Sequence, residues 1–171
     1  MVYPKPDCGG YGNMIYGAIN DKGEHWYTQM GRVFDAIKNK QAEYNWLITD
    51  IDCVPQKIEE LCNGKDYCWI TGEELSKIVR EDDQQWVWAV LSGFNKNIAL
   101  SEVMQYPKPY ARDYEGFWRN PLSIQHPLAI IEIVPWDSSL TLFFSRKADL
   151  VNDFLKFFPL SEDLSTYNSR Q

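Results

Sequence analysis

Apolar and polar positions along the chain switch between two periods, and each switch predicts an element. Met14–Ile19 is a short apolar run ended by the turn-prone Asn20-Asp-Lys-Gly23, which predicts a first strand. From Glu24 to about Lys40 the residues Trp26, Met30, Val33, Phe34 and Ile37 recur at helical spacing and predict one amphipathic helix. Tyr44–Asp52 then alternates. Trp46, Ile48 and Asp50 share one side and Leu47, Thr49 and Ile51 the other, with Pro55 closing the strand because it cannot donate to a ladder. Gln56–Cys62 predicts a short helix before the Asn63-Gly64 turn, and Tyr67–Ile70 a short strand. Thr71-Gly-Glu-Glu74 has the form of a capping box, opening a helix whose inner face is Leu75, Ile78 and Val79.

Gln85–Leu91 is apolar on both faces, with Trp86, Trp88 and Val90 on one and Val87, Ala89 and Leu91 on the other. That pattern predicts a central strand covered twice. Residues 92–126 sustain no period. They read as a short helix near Leu100–Gln105 and then a long surface loop, a feature that is often functional. Leu128–Val134 and Leu140–Phe144 predict a hairpin through Pro135-Trp-Asp-Ser138. Glu132, the one charge in its first strand, is expected to face solvent at an edge, with a buried functional carboxylate as the alternative. Ala148–Phe158 predicts a last helix with Leu150, Val151, Phe154, Leu155 and Phe158 inward. The Pro- and Gly-rich residues 1–13 read as irregular and 159–171 as a loose tail. This order implies an α+β single domain, a mostly antiparallel sheet with helices packed mainly on one side.

Charge changes the picture more than composition does. The chain carries a net −7, and residues 41–90 alone hold eleven acidic and four basic residues, so the whole imbalance is local. A solvated face is the ordinary reading of such a run. Yet this concentration of like charge repels itself and also favours encounter with a basic partner. It argues against nucleic acid or anionic lipid as a partner. Aromatic residues make up 15% of the chain, more than a core of this size is expected to absorb in full, and exposed rings favour recognition. No apolar run reaches a membrane span or a secretory signal, so a cytoplasmic protein without membrane attachment is expected.

Candidate chemistry is sparse. Asp50 and Asp52, two apart on a strand, have the form of a carboxylate pair for acid–base work, but no histidine or third acid is tied to them by spacing. Cys62 and Cys68 bracket five residues, wider than the gap usual in zinc sites, and no second close pair completes a ligand set. Cys8-Gly-Gly-Tyr-Gly12 precedes any strand and lacks the ending of a phosphate loop. Neither metal nor cofactor is expected.

Trp69-Ile-Thr-Gly-Glu-Glu-Leu75 with Ile78, the strand Trp86-Val-Trp-Ala-Val-Leu-Ser-Gly93 and the start Tyr44-Asn-Trp46 resemble a small bacterial family of uncharacterised α+β proteins. The resemblance implies a compact fold and carries over no functional residue. In size, acidity and aromatic content the chain is also similar in type to immunity proteins of bacterial toxin systems, including contact-dependent inhibition. The resulting expectation is a non-enzymatic inhibitor of a basic protein toxin, such as a nuclease. Its Glu59, Glu60, Asp66, Glu81, Asp82 and Asp83 would mimic phosphates, with Tyr67 and Trp69 as apolar anchors. Two alternatives stay open. One is a small hydrolase using Asp50, Asp52 or Glu132 with His126, and the other a regulatory or scaffolding domain that binds a peptide through the 106–126 loop.

Overall fold

The computed structural model describes residues 14–171; the irregular reading of 1–13, and Cys8 with it, lies outside the described residues. In chain order the elements are β1 (Tyr16–Asn20), α1 (Met30–Ala36), β2 (Tyr44–Asp52), α2 (Gln56–Cys62), β3 (Tyr67–Thr71), α3 (Gly72–Glu81) and β4 (Trp88–Asn95). There follow α4 (Leu100–Val103), β5 (Ile131–Trp136), β6 (Leu140–Ser145), α5 (Ala148–Phe157), β7 (Glu162–Asp163) and α6 (Leu164–Asn168). The strands form one antiparallel sheet in the order β3-β2-β4-β5-β6-β1-β7. This is the mixed α+β architecture that the alternating periods imply. The strand with two apolar faces, β4, lies inside the sheet between β2 and β5, as its pattern requires.

Each face of the sheet has its own core. On one face Trp46, Ile48, Ile70, Leu91, Ile133 and Phe143 pack against α1, α2, α3 and α5. Phe143 and Phe154 stack there at 5.1 Å. On the other face Leu47, Val90, Phe94, Val134, Leu142 and Phe144 meet no layer of long helices. Their cover is the irregular stretch from Ile98 to Ala129, which buries Val103, Ala111, Phe117 and Ile124, together with Leu164 of α6. The segment read as a surface loop is therefore the second layer of the molecule.

Local departures from the predicted elements have local causes. The first helix begins at Met30 rather than Glu24, leaving Trp26 49% exposed. Residues 27–29 are held extended instead. Thr28 Oγ1 donates to the Trp86 carbonyl at 2.6 Å, the Trp86 amide donates to the Thr28 carbonyl, and the Gln85 side chain accepts from the Tyr27 amide. The same pairing takes Gln85–Val87 out of the β4 ladder. Trp86 consequently packs with Ala89 and Leu91 on the helical face, not with Trp88 and Val90. In β2 the pairing with β4 shifts register between Thr49 and Asp52, and Asp50 has φ +50°. A bulge of this kind reverses the in–out phase. Ile51 accordingly turns to the helical core, and Asp50 turns to the irregular cover. Residues 159–171, read as a loose tail, supply β7, which pairs with β1, and α6, whose Asn168 amide donates to the Phe117 carbonyl at 3.0 Å. At the hairpin, Trp136 pairs with Leu140 across a three-residue loop in which Asp137 and Ser138 both adopt φ +51° and the Ser139 amide donates to the Trp136 carbonyl.

The junction of β3 and α3 leaves no room for a side chain at its first helical residue. Thr71 caps α3 by accepting from the Glu74 amide at 3.2 Å, and Gly72 is packed against the single helical turn Lys40–Glu43. A Cβ on Gly72 would collide with the Gln41 carbonyl and stand 2.6 Å from that of Tyr44, both rigid backbone. Gly72→Ala is expected to destabilise the fold by about 3 kcal/mol or more. Gly64→Ala, at φ +76° but in open space, should cost about 1 kcal/mol. Urea unfolding of both variants checks this, and equal midpoints would contradict the close approach.

Candidate functional site

The clearest concavity near the sequence-predicted residues is a cleft of about 590 Å³ beside α2 and the start of β3. Asp50, Glu59, Lys65, Asp66, Lys108 and Arg112 supply three charges of each sign to its lining, with Cys62 and Tyr110 among the remaining walls. Thr49, which lines it too, donates its hydroxyl proton to the Pro109 carbonyl at 2.7 Å. One wall is therefore the sheet end and the other is the irregular cover folding back over it.

Asp50 is the joint between those walls. One carboxylate oxygen accepts from the Ala111 amide at 2.7 Å and the Arg112 amide at 2.9 Å, and the other accepts from Arg112 Nε at 2.9 Å. Asp52 adds a longer ion pair to Arg112 at 3.8 Å. Burial pushes the Asp50 carboxyl up, but the hydrogen bonds from Arg112 and Ala111 outweigh it and hold the group below its ordinary range. A carboxylate held in this way is a poor proton carrier. Its role is to anchor the chain at 111–112.

Glu132 does not face solvent at an edge. It lies on β5, inside the sheet, and is fully buried on the face covered by the irregular segment. One oxygen accepts from the Gln125 amide at 3.0 Å, and the other has no partner. Directly across on β4 stands Ser92, whose hydroxyl is also buried and unpartnered. Burial raises the Glu132 carboxyl to about 8, against a small opposing effect of the Gln125 amide. The acid is thus neutral at neutral pH, and its proton is a donor in an otherwise donor-poor place.

His126 is buried with both ring nitrogens engaged. Nε2 lies 2.8 Å from the Val103 carbonyl and Nδ1 accepts from the Leu128 amide at 3.1 Å, which sets the tautomer with the proton on Nε2. Burial lowers its pKa, opposed by the Val103 carbonyl. The ring also lies edge-to-face with Phe94 at 4.8 Å. This is a histidine that closes a loop on itself. Asp50, Glu132 and His126 all hold the same covering segment, at different points along it, and of the three only Glu132 keeps an unpartnered oxygen.

The residues expected to meet a partner fall into two groups. Glu59, Glu60, Asp66, Tyr67 and Trp69 gather on α2 and β3, the end strand of the sheet. Tyr67 and Trp69 are half-buried and lean on the non-helical face, where Trp69 meets Phe94 at 5.8 Å. Glu81, Asp82 and Asp83 lie apart from these at the C-terminal end of α3. Asp83 is committed to structure: it accepts from the Gly31 amide at 3.0 Å and so caps α1 from outside the helix. Burial raises its carboxyl despite that bond. Exposed lysines accompany the others, pairing Lys57 with Glu60 at 3.5 Å, Lys108 with Asp66 at 3.5 Å and Lys77 with Glu81 at 4.0 Å. Cys62 and Cys68 are free, buried thiols in contact with each other; burial, reinforced by that neighbour, pushes Cys68 up to about 12.

Arg112 and the Ala111 amide are site features that sequence reasoning missed, because both sit in the stretch with no periodicity. The signal available was Asp50 itself, an acid at a strand end with no local partner.

The pH dependence of folding follows from Glu132. Its folded pKa stands above the ordinary 4.5, so its contribution is most favourable at low pH. That contribution falls as pH rises from about 4.5 towards 8, because the unfolded chain releases the proton over this range while the folded state keeps it. Glu132→Gln should match the wild type within about 1 kcal/mol at pH 5 and exceed it by about 3–5 kcal/mol at pH 9. Urea unfolding of both proteins at the two pH values measures this, and a difference independent of pH would place the carboxyl in water. Asp50→Ala is expected to cost about 2–4 kcal/mol and to speed amide hydrogen exchange at Ala111 and Arg112 while sparing the central strand β4.

Among the described residues no helix is long and apolar enough to cross a membrane. No family model, no curated protein and no solved structure matches this chain.

Proposed function

We propose that the chain acts by binding a basic protein partner rather than by catalysis, in the manner of an immunity-type inhibitor that occludes a cationic toxin site. The supporting observation is topological. Residues 44–95 supply β3, β2 and β4, which are neighbours at one end of the sheet, together with α2 and α3. A charge imbalance that is local in sequence therefore falls on one end of the sheet and its two helices, in two groups. The lysine partners of Glu60, Asp66 and Glu81 are exposed, so these pairs are weak and exchangeable, and a partner's cations can replace them at little cost. The anchoring surface is best drawn at Glu59, Glu60, Asp66, Tyr67 and Trp69 with the open edge of β3, and Asp83 is left out because it holds α1. The alternative of a small hydrolase gains nothing from the geometry, since Asp50 and His126 are held by the cover at separate places and the unpartnered Glu132 oxygen is enclosed in the core.

Capture from bacterial lysate at low and high salt tests this, using the wild type and the double variant Glu59→Lys, Asp66→Lys beside the control Asp149→Lys. A basic protein retained by the wild type and the control, but reduced ten-fold or more with the double variant, is the expected result, with salt reproducing the loss. Equal capture by all three proteins would remove this surface from the reading.

A further inference from the structure

A second concavity, of about 550 Å³, lies next to the first at the Trp88 end of β4, shares Arg112 with it and takes half of its lining residues from aromatic side chains. Trp88 and Trp136 are cross-strand partners at the ends of β4 and β5, with ring centroids 5.0 Å apart at 66°. Trp118, from the irregular cover, meets Trp136 at 5.9 Å and 85°. Tyr114, from the same cover, completes the lining. All four are only partly buried although they pack on the core of this face, so each keeps surface open to the cavity.

Indole planes that stand near right angles make a corner rather than a slot. A slot of parallel rings suits a flat base, whereas a corner of ring faces surrounds a compact, rounded group. Ring faces carry negative electrostatic potential and attract cations, most strongly those with little hydration to lose. The charges at the rim agree. Arg112 lines the cavity, but its guanidinium is bound to Asp50 and paired with Asp52. Glu115 is engaged by Arg119. Asp113, exposed and at φ +65°, has no hydrogen-bond or salt-bridge partner among the described residues; its carboxylate lies at the mouth and acts on Arg112 only through its charge.

We infer that this cavity binds an organic cation with a methylated ammonium head, received by Trp88, Trp118 and Trp136 and balanced by Asp113. The volume exceeds that of the headgroup alone, so the head belongs to a larger molecule, either a small ligand or a methylated lysine side chain on a protein. The cavity shares Arg112 with the cleft beside α2 but none of its rings, so neither reading needs the other.

Choline, its uncharged tert-butyl isostere and a trimethyllysine peptide, each titrated against the full chain with indole fluorescence and indole N–H NMR shifts as readouts, test the inference. Saturable binding of choline is expected, with the isostere weaker by about ten-fold, a difference of ~1.4 kcal/mol. Tighter binding of the trimethyllysine peptide than of choline would identify a protein source, and the reverse a small molecule. Asp113→Asn, which disturbs no packing, should weaken binding of the cations several-fold and leave the isostere unchanged. Trp118→Leu should abolish binding of both. Equal affinity for choline and its isostere, or no response to choline or the peptide up to ~10 mM, would overturn the assignment.

Discussion

The architecture depends on a mismatch between the sheet and what the chain has to cover it. Both faces are apolar, but the longer helices fill only one of them. The other is closed by about thirty residues with little regular structure, and a buried irregular backbone has amides and carbonyls that no ladder satisfies. The sheet and its neighbours answer with polar side chains. Thr49 donates to the Pro109 carbonyl, Asp50 accepts from the amides of Ala111 and Arg112, Glu132 accepts from that of Gln125, and Asn168 donates to the carbonyl of Phe117. These polar positions are the fastenings of the cover on this face.

This explains why the residues that look most like chemistry do not assemble into a reaction centre. A carboxylate on a central strand, a strand-end aspartate and a buried histidine are what a searcher for acid–base catalysis would select. Here each is engaged by the covering segment at a separate place, and the altered pKa values of Asp50, Glu132 and His126 record burial and those local bonds. What remains available for function lies where the cover meets its margins. Those margins hold two neighbouring concavities that share Arg112, a cleft beside the acidic lobe and a corner of three indoles with Asp113 at its mouth.

Periodicity located the elements wherever one face alone had to be buried. Gln56–Cys62 and the helix after Thr71 stand where their patterns put them, because solvent on one side and core on the other leave a readable period. It misled where long-range hydrogen bonds outweighed the local pattern. Trp26 carries helical spacing, yet residues 27–29 run extended because the Gln85–Trp86 backbone and side chain take their hydrogen bonds. Trp86 sits on the face opposite to its alternation because the ladder begins only at Trp88.

The amino-acid sequence by itself determined the α+β class, the twice-covered central strand and the concentration of negative charge between residues 41 and 90, since each is a property of short stretches read one at a time. Tertiary structure alone decided that Glu132 is buried, that Asp50 turns through a bulge to hold Arg112, and that the unpatterned middle of the chain is a layer of the core. It also brought Trp88, Trp118 and Trp136 together from separate segments. The physical reason is the same in each case. Burial and hydrogen bonding across sixty residues are set by which strands become neighbours, and a segment satisfied by distant side chains carries no period of its own.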